Sequence, residues 1–190
     1  MKMKYTCHTG GATGSDIEFE KISIKNGFSV KAYSFKEHNT SSNNQVILDN
    51  DDIAKGWEKA QKAAKSLKRN THNLSPYVKK LLARDWYQVK NSNTIFAIGW
   101  ILNPGEHGQR VLNKTNKQVV DGGTGYAVEM AIQYNKSVYV FNQEDNKWYK
   151  WKFNQFREID YIPELTENFA GIGTRELSVE GLEAIKSLFK

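Results

Sequence analysis

A glycine-rich turn that runs directly into a helix is the feature that most constrains this chain. Residues 121–129 read Asp-Gly-Gly-Thr-Gly-Tyr-Ala-Val-Glu, followed by a helix-like segment at 130–135 and an apolar strand at 137–141. Such a turn leaves backbone N–H groups unpaired at the positive end of the helix dipole, where a phosphate binds well. Two similar turns occur at 9–16 and 171–176. We call the turns at 9–16, 171–176 and 121–129 the first, second and third glycine turns. Three such turns in one chain predict a phosphate-binding pocket.

Composition places the chain among ordinary globular proteins. Its 190 residues fit one domain (1–190) with a normal core. The net charge of +6 permits a polyanionic partner, but the lysines are scattered, which favours a solvated surface. The single cysteine, Cys7, excludes a disulfide framework and a zinc cluster. With no apolar run near the ~20 residues of a membrane span and no signal-peptide pattern, we expect a soluble, cytoplasmic protein without cofactor or metal.

The predicted elements follow one another as in a mostly parallel α/β sheet with helices on both faces. A strand at 4–8 leads through a glycine turn into a helix at 16–26, and a second strand follows at 28–35. This strand–helix–strand order is typical of parallel sheets. The other predicted elements are helices at 53–68 (capped by Asp51 or Asp52), at 76–89 and at 179–189, and buried strands at 94–99 and 168–172.

Three further segments are predicted to lie at the periphery of the sheet. The polar segment 36–50 predicts a mobile loop that could act as a lid. Residues 102–117 contain several turn-forming residues and predict a loop or small hairpin over the site. The runs 137–141 and 148–153 flank a polar turn, so they predict an antiparallel hairpin at one edge of the sheet.

The order of the terminal elements predicts a circular permutation. No strand follows the helix at 179–189, and no helix precedes the strand at 4–8. Joining Lys190 to Met1 would restore an ordinary strand–helix–strand unit, which adjacent termini at the surface would permit. We therefore predict a circularly permuted, Rossmann-like fold.

The three turns together resemble those of the SLOG superfamily, which includes the LONELY GUY phosphoribohydrolases, DNA-processing protein A and the YpsA-like group. Gly171–Glu176 is similar to the family's Gly-x-Gly-Ser/Thr-Arg turn, and Gly10–Asp16 to its Gly-Gly-x-x-Gly turn. Gly122–Glu129 resembles its Gly-Gly-x-Gly-Thr-x-x-Glu turn, and Arg84 looks like the arginine upstream of it. The Gly-x-Gly-Ser/Thr-Arg turn, which comes first in the family's sequences, comes last in this chain, as expected of a circularly permuted member.

All three turns are expected to meet beyond the carboxyl ends of the strands, where parallel sheets bind ligands. Their N–H groups, threonine hydroxyls and arginines could hold one or two phosphates. The alternative is that individual glycines serve only tight turns. The residues expected to bind the ligand are Gly10, Gly11, Thr13, Gly14, Asp16, Arg84, Trp100, Gly122, Gly123, Thr124, Gly125, Tyr126, Gly171, Gly173, Thr174 and Arg175.

Several of these side chains have two interpretations. Asp16 and Glu129 could bind ribose hydroxyls or act as acid or base, or they could complement a helix dipole and lie at the surface. Trp100 and Tyr126 could stack on a base, whereas core or loop packing is the alternative for Trp100. The third turn also departs from the family pattern, because Thr124 stands before its last glycine, one residue further from Glu129.

Three functions follow from these features. The resemblance implies first a protein that binds a nucleotide-derived small molecule, such as an ADP-ribose derivative or a cyclic nucleotide. Since SLOG domains sense such signals in prokaryotic immunity, sequestration by a phage anti-defence protein is one form of this function. The second is a hydrolase of a nucleotide N-glycosidic or phosphoribosyl bond, in which Glu129 works with Arg84 or Arg175. The third is a single-stranded DNA binder, which the positive charge motivates. The resemblance also implies a homo-oligomer.

Overall fold

The computed structural model describes residues 5–190 and shows a mostly parallel sheet flanked by helices. The helices are α1 (Ser15–Lys25), α2 (Asn50–Ser66), α3 (Pro76–Lys90), α4 (Thr124–Gln133) and α5 (Val179–Ser187). The strands are β1 (Thr6–Thr9), β2 (Ser29–Ser34), β3 (Gln45–Ile47), β4 (Thr94–Gly99), β5 (Ile101–Leu102), β6 (Val119–Val120), β7 (Ser137–Asn142), β8 (Lys147–Lys152), β9 (Gln155–Glu158) and β10 (Asn168–Gly173). None of these helices is long and apolar enough to cross a membrane.

The large sheet has the strand order β3-β2-β1-β10-β4-β7-β8-β9. Its strands are parallel from β3 to β7 and antiparallel at β8 and β9. The predicted parallel sheet with an antiparallel edge hairpin is therefore confirmed, and β9 adds a third antiparallel strand. Counted from β10 and without the short edge strand β3, the strands β2-β1-β10-β4-β7 have the 3-2-1-4-5 order of doubly wound folds, in agreement with the predicted permutation. The strand order reverses between β10 and β4.

The helices cover both faces of this sheet, as predicted. Helices α2, α3 and α4 pack against one another on one face, whereas α1 and α5 pack together on the other. Two clusters of buried side chains correspond to these faces, one around Leu82, Val89 and Met130 and the other around Phe19 and Phe169. Strand β4 is buried along its whole length, as expected for a central parallel strand covered on both sides.

The starts of the helices differ in a way that bears on the site. Helices α2, α3 and α5 begin with side-chain caps from Asp49, Ser75 and Ser178. Helices α1 and α4 follow glycine turns and have no side-chain cap. Their first N–H groups therefore depend on other partners. The helix was predicted to be capped by Asp51 or Asp52, but Asp49 is the capping residue of α2. Its side chain accepts the Asp52 N–H at 2.8 Å, and the helix starts at residue 50.

The segment 36–50 is irregular at residues 36–44, as expected of a loop, but it also contains a short strand. Residues 45–47 form β3, which pairs with β2 at the edge of the sheet. The Thr40 hydroxyl donates to the carbonyl of Gly11 at 2.6 Å, and the Ser42 hydroxyl donates to Glu20 at 2.8 Å. The segment is thus tied to the first glycine turn and to α1. A three-residue strand is too short to show an alternating pattern, which explains the error.

The segment 102–117 forms the expected small hairpin. Strands β5 and β6 pair as an antiparallel two-stranded sheet, and an isolated bridge joins His107 to Leu112. The buried Asn113 amide donates to the carbonyls of Leu102 and Lys117, which fixes the base of the hairpin. This hairpin lies beside the carboxyl ends of β4 and β10.

Candidate ligand-binding site

A cavity of about 750 Å³ lies at the carboxyl ends of β10 and β4. Gly99 and Trp100 at the end of β4, with Ile172 and Gly173 at the end of β10, line it. Ligands of open parallel sheets bind at this location, where the strand order reverses. Its volume lies within the range of small-molecule and cofactor sites.

The walls of the cavity come from six segments of the chain. The first part of α3 and the residues next to it contribute Leu74, Val78, Leu81, Leu82, Arg84 and Asp85. The third glycine turn contributes Asp121, Gly122, Gly123, Thr124 and Tyr126, and the hairpin contributes Arg110, Val111, Leu112 and Lys114. The remaining lining residues are Lys68, Arg69 and Asn70 after α2, Ala12 and Asp16 of the first turn, and Thr174, Arg175 and Glu176 after β10.

The third glycine turn is fixed by the Asp121 carboxylate. Its Oδ1 accepts the N–H groups of Gly122 at 2.8 Å and Val111 at 3.0 Å, and its Oδ2 accepts the N–H of Arg110 at 3.0 Å. The carboxylate therefore holds the hairpin against the turn. Gly122 has a φ of 61°, a conformation that glycine adopts without the steric cost of a Cβ.

The first turn of α4 presents unpaired N–H groups to this cavity. The N–H groups of Gly125 and Tyr126 bond to the carbonyls of Gly122 and Gly123. Among the described residues, the N–H groups of Gly123 and Thr124 have no partner. Both residues line the cavity, so the positive end of the α4 dipole faces it. This is the arrangement that the sequence predicted for the third turn.

Arg69 clamps the same turn from the other side. Its Nη1 donates to the carbonyl of Gly122 at 2.6 Å and its Nη2 to the carbonyl of Val120 at 2.7 Å. The guanidinium also lies 5.2 Å from the centroid of the Tyr126 ring. A Cβ at Gly125 would lie 2.9 Å from both terminal nitrogens and 2.1 Å from the Val120 carbonyl oxygen, so only glycine fits there. Gly125 thus serves packing and does not line the cavity.

Replacing Arg69 by methionine is expected to destabilise the fold by about 2–3 kcal/mol, because two buried carbonyls lose a charged donor. Urea unfolding of the variant measures this loss. Arg157→Met, which removes an exposed arginine on β9, is the control and should change the free energy of unfolding by less than about 0.5 kcal/mol. An Arg69 variant as stable as the wild type would contradict the assignment of Arg69 as the clamp of this turn.

The Asp16 carboxylate joins the first and second glycine turns. Its Oδ2 accepts the N–H of Gly10 and its Oδ1 accepts the N–H of Gly173, both at 3.0 Å. The N–H of Ser15 bonds to the carbonyl of Thr174. Burial raises the pKa of Asp16, and the charge of Arg84 and these N–H groups oppose that rise. In the first turn, the N–H groups of Gly10 and Ser15 therefore bond to protein groups and are not free to bind the predicted phosphate.

Arg84 lies at the base of the cavity with unused donors. Its side chain is 6% exposed, and its Nε and Nη1 have no hydrogen-bond partner. The Nη1 atom is 3.9 Å from Asp16 Oδ2 and 3.3 Å from Asp85 Oδ1, without the alignment of a hydrogen bond. A Cβ on Gly10 would lie 1.5 Å from Nη1, so glycine makes room for the guanidinium. A buried arginine with free donors is suited to an anion.

Most of the arginines of this lysine-rich chain line the cavity. Only five of the 27 basic residues are arginines, and four of these, Arg69, Arg84, Arg110 and Arg175, line the cavity. Arg110 pairs with Glu176 across the edge of the cavity. The Thr174 hydroxyl is the main cause that lowers the pKa of Glu176, and Arg110 adds to it. Arginine is the side chain best shaped to bind phosphate with two parallel hydrogen bonds.

The structure brings ten of the predicted ligand-binding residues to the cavity: Asp16, Arg84, Trp100, Gly122, Gly123, Thr124, Tyr126, Gly173, Thr174 and Arg175. Gly10, Gly11, Thr13, Gly14, Gly125 and Gly171 do not line it. Gly171 lies inside β10, where a Cβ would be 2.3 Å from the Phe19 ring, and a Cβ on Gly14 would be 2.6 Å from the Arg175 backbone. These glycines allow close packing between segments.

Glu129, the candidate catalytic residue, lies outside the cavity. It is 3% exposed on α4, and both of its oxygens accept from Lys117 Nζ at 2.8 Å. Ser66 also donates to Oε1 at 2.5 Å. The carboxylate is thus neither at the surface nor facing the cavity, and its contacts are those of a buried ion pair between α4, α2 and the hairpin.

Sequence reasoning missed Arg69, Arg110 and Asp85 as residues that line the cavity. Arg69 and Arg110 lie in segments without a motif, and only the fold brings them to the third turn. Their one sequence signal is that they are arginines in a chain that otherwise uses lysine. Among residues 5–190, no group of three or more metal-ligating side chains is placed to hold a metal ion.

Comparisons with protein-family models, with curated proteins and with solved structures found no match for this chain. The function is therefore argued from the geometry of the cavity.

Proposed function

We propose that this protein binds a nucleotide-derived small molecule through its phosphate, in the cavity between the ends of β10 and β4. The main support for the proposal is that Arg84 is buried with unpaired donors and lines the cavity. The uncapped N-terminus of α4 lines the same cavity. Both groups bind anions, and both lie where parallel α/β sheets hold nucleotides.

The charges around the cavity support an anionic ligand. Six cationic side chains line it against four anionic ones; the cations are Lys68, Arg69, Arg84, Arg110, Lys114 and Arg175, and the anions are Asp16, Asp85, Asp121 and Glu176. The field of Arg84 and Arg175 acts with burial to lower the pKa of His38 to about 4. Burial is the larger cause, and the positive charges of the two arginines act in the same direction. A phosphate would balance this excess.

The rest of the cavity suits the nucleoside part of such a ligand. Leu74, Val78 and Leu81 form an apolar wall, and the aromatic rings of Trp100 and Tyr126 also line the cavity. Apolar walls with a few polar groups are typical of small-molecule sites, and an aromatic ring can stack on a base. An ADP-ribose derivative or a cyclic nucleotide combines a phosphate with such an apolar part. Capture or sensing of a nucleotide signal, as the resemblance to SLOG proteins implies, is the biological role we propose.

Glu129 supports binding without cleavage. A hydrolase of the proposed kind would need this carboxylate beside the ligand, but Lys117 and Ser66 hold it outside the cavity. We therefore propose that the protein binds its ligand without cleaving it.

Calorimetry with ADP-ribose, 3′,5′-cyclic AMP and adenosine tests the proposal. We expect at least one phosphate-bearing ligand to bind more than tenfold more tightly than adenosine, because the cavity offers charged donors to the phosphate. Arg175→Ala should weaken that binding about tenfold, since Arg175 is exposed at the cavity edge and its loss leaves the core intact.

Arg157→Ala removes the one arginine outside the cavity and should leave binding unchanged. Equal, weak binding of all three compounds would overturn the proposal. Release of free base, detected by chromatography, would show that the protein is a hydrolase. If the protein binds a single-stranded oligonucleotide in a salt-sensitive way and does not bind the small ligands, it is a nucleic-acid-binding protein instead.

A further inference from the structure

Two buried carboxylates share one guanidinium at the base of the cavity. Arg84 Nη1 lies 3.9 Å from Asp16 Oδ2 and 3.3 Å from Asp85 Oδ1, and all three side chains are nearly inaccessible to solvent. If both carboxyls were ionised, this cluster would carry a net charge of −1 and would repel the anion that Arg84 is placed to bind. An anion can bind there readily only if one carboxyl holds a proton.

The hydrogen bonds indicate which carboxyl holds it. Both oxygens of Asp16 accept backbone N–H groups, from Gly10 and Gly173, so its hydrogen-bonded neighbours are donors. A proton on Asp16 would have no acceptor among these groups. Asp85 receives only a weak bond of 3.3 Å, from Gln88 Nε2. Asp85 also lines the cavity, where a ligand oxygen can accept its proton.

Gln88 could accept a hydrogen bond from this proton. Its side chain is fully buried, and its Oε1 has no hydrogen-bond partner. The amide oxygen and nitrogen are interchangeable by a 180° rotation, which would turn Oε1 towards Asp85. A protonated Asp85 would then donate to Gln88 in the empty cavity and to the ligand in the filled one.

We propose that Asp85 binds the ligand's anionic group as a neutral carboxylic acid, so that anion binding beside Arg84 is coupled to uptake of one proton. This inference rests on the proposed function, because it places the phosphate at Arg84. The proton comes from solvent and resides on the Asp85 carboxyl, and no covalent bond of the ligand changes. Asp85 thus becomes a ligand-binding residue of the site.

The surroundings of Asp85 favour the neutral form. Burial raises its pKa to about 7, Arg84 opposes the rise, and the charge of Asp16 adds to it. A bound anion adds a further negative charge and engages Arg84, so it raises the pKa of Asp85 further. The other charged or titratable groups that line the cavity or act on this cluster are His38, Lys68, Arg69, Arg110, Lys114, Asp121, Tyr126, Arg175 and Glu176. His38 stays neutral above about pH 5, because its pKa is about 4.

Sulfate is a suitable probe, because its charge does not change between pH 5.5 and 8.5. We expect its Kd, measured by NMR titration of the full chain, to be constant below about pH 6 and to rise about tenfold per pH unit above about pH 7.5, since only the protonated site binds. Asp85→Asn, which mimics the neutral acid, should bind sulfate equally well at both ends of this range. Asp51→Asn, an exposed change of the same type on α2, should keep the wild-type profile.

Wild-type protein also gives a readout that needs no variant. Calorimetry of sulfate or ADP-ribose binding at pH 8 in buffers of different ionisation enthalpy should show uptake of close to one proton. Sulfate binding with a flat pH profile and no proton uptake would overturn the role of Asp85 and leave the nucleotide proposal standing. Nucleotide binding without any sulfate binding would also overturn it, because the anion would then lie away from Arg84. Failure of both ligands to bind would refute both proposals.

Discussion

Replacing Arg84 by methionine is expected to produce the largest loss of ligand affinity of any single substitution in this chain. Methionine keeps much of the length of the arginine stem but removes the guanidinium with its two unpaired donors, Nε and Nη1. Two charged hydrogen bonds at roughly 1.5–3 kcal/mol each correspond to a loss of at least a hundredfold in Kd for ADP-ribose or cyclic AMP. The Asp16 carboxylate would also lose its cation, so we expect the free energy of unfolding to fall by about 3–5 kcal/mol. Calorimetry and urea unfolding measure the two effects.

Arg84→Lys separates charge from geometry. Lysine retains the cation beside Asp16, so most of the stability should return, but it lacks the planar pair of donors that binds phosphate. We expect a folded protein whose Kd is still raised at least tenfold. A lysine variant with wild-type affinity would show that Arg84 acts only as a structural cation, and the phosphate would have to bind at the start of α4 alone.

Local sequence patterns were sufficient to predict the fold. Glycine turns followed by helices, and buried strands such as β4, are encoded within about 15 residues, so their elements appeared close to where they were expected. The pairing of β10 with β1 is a long-range property that agrees with the permutation predicted from the order of the terminal elements, whereas the pairing of β10 with β4 was not predicted. Strands β3 and β9 were missed because each is short and lies at an edge, where the partner strand decides the conformation.

The candidate site was only partly predictable, for a physical reason. The third turn could be placed because free N–H groups at the start of α4 follow from helix geometry alone. The first turn has the same sequence character, but Asp16 accepts its Gly10 N–H and removes it from the cavity. Which carboxylate occupies a glycine turn depends on tertiary contacts. The same holds for Arg69, whose partners Val120 and Gly122 are about 50 residues away in sequence.

The ion pair of Glu129 with Lys117 is expected to contribute strongly to stability and little to binding. Lys117→Met leaves a carboxylate that is 4% exposed with only Ser66 and Gln133 as donors, so the free energy of unfolding should fall by about 3–5 kcal/mol. Glu129→Gln keeps the shape but removes the charge and should cost less. Neither variant should change the Kd of ADP-ribose by more than about twofold, because Glu129 does not line the cavity. Urea unfolding and calorimetry measure the free energy of unfolding and the Kd.

One result would contradict this prediction. If Glu129→Gln has wild-type stability but no longer cleaves a nucleotide that the wild type consumes, Glu129 is a catalytic residue. The cavity would then have to extend to Glu129 when the ligand binds.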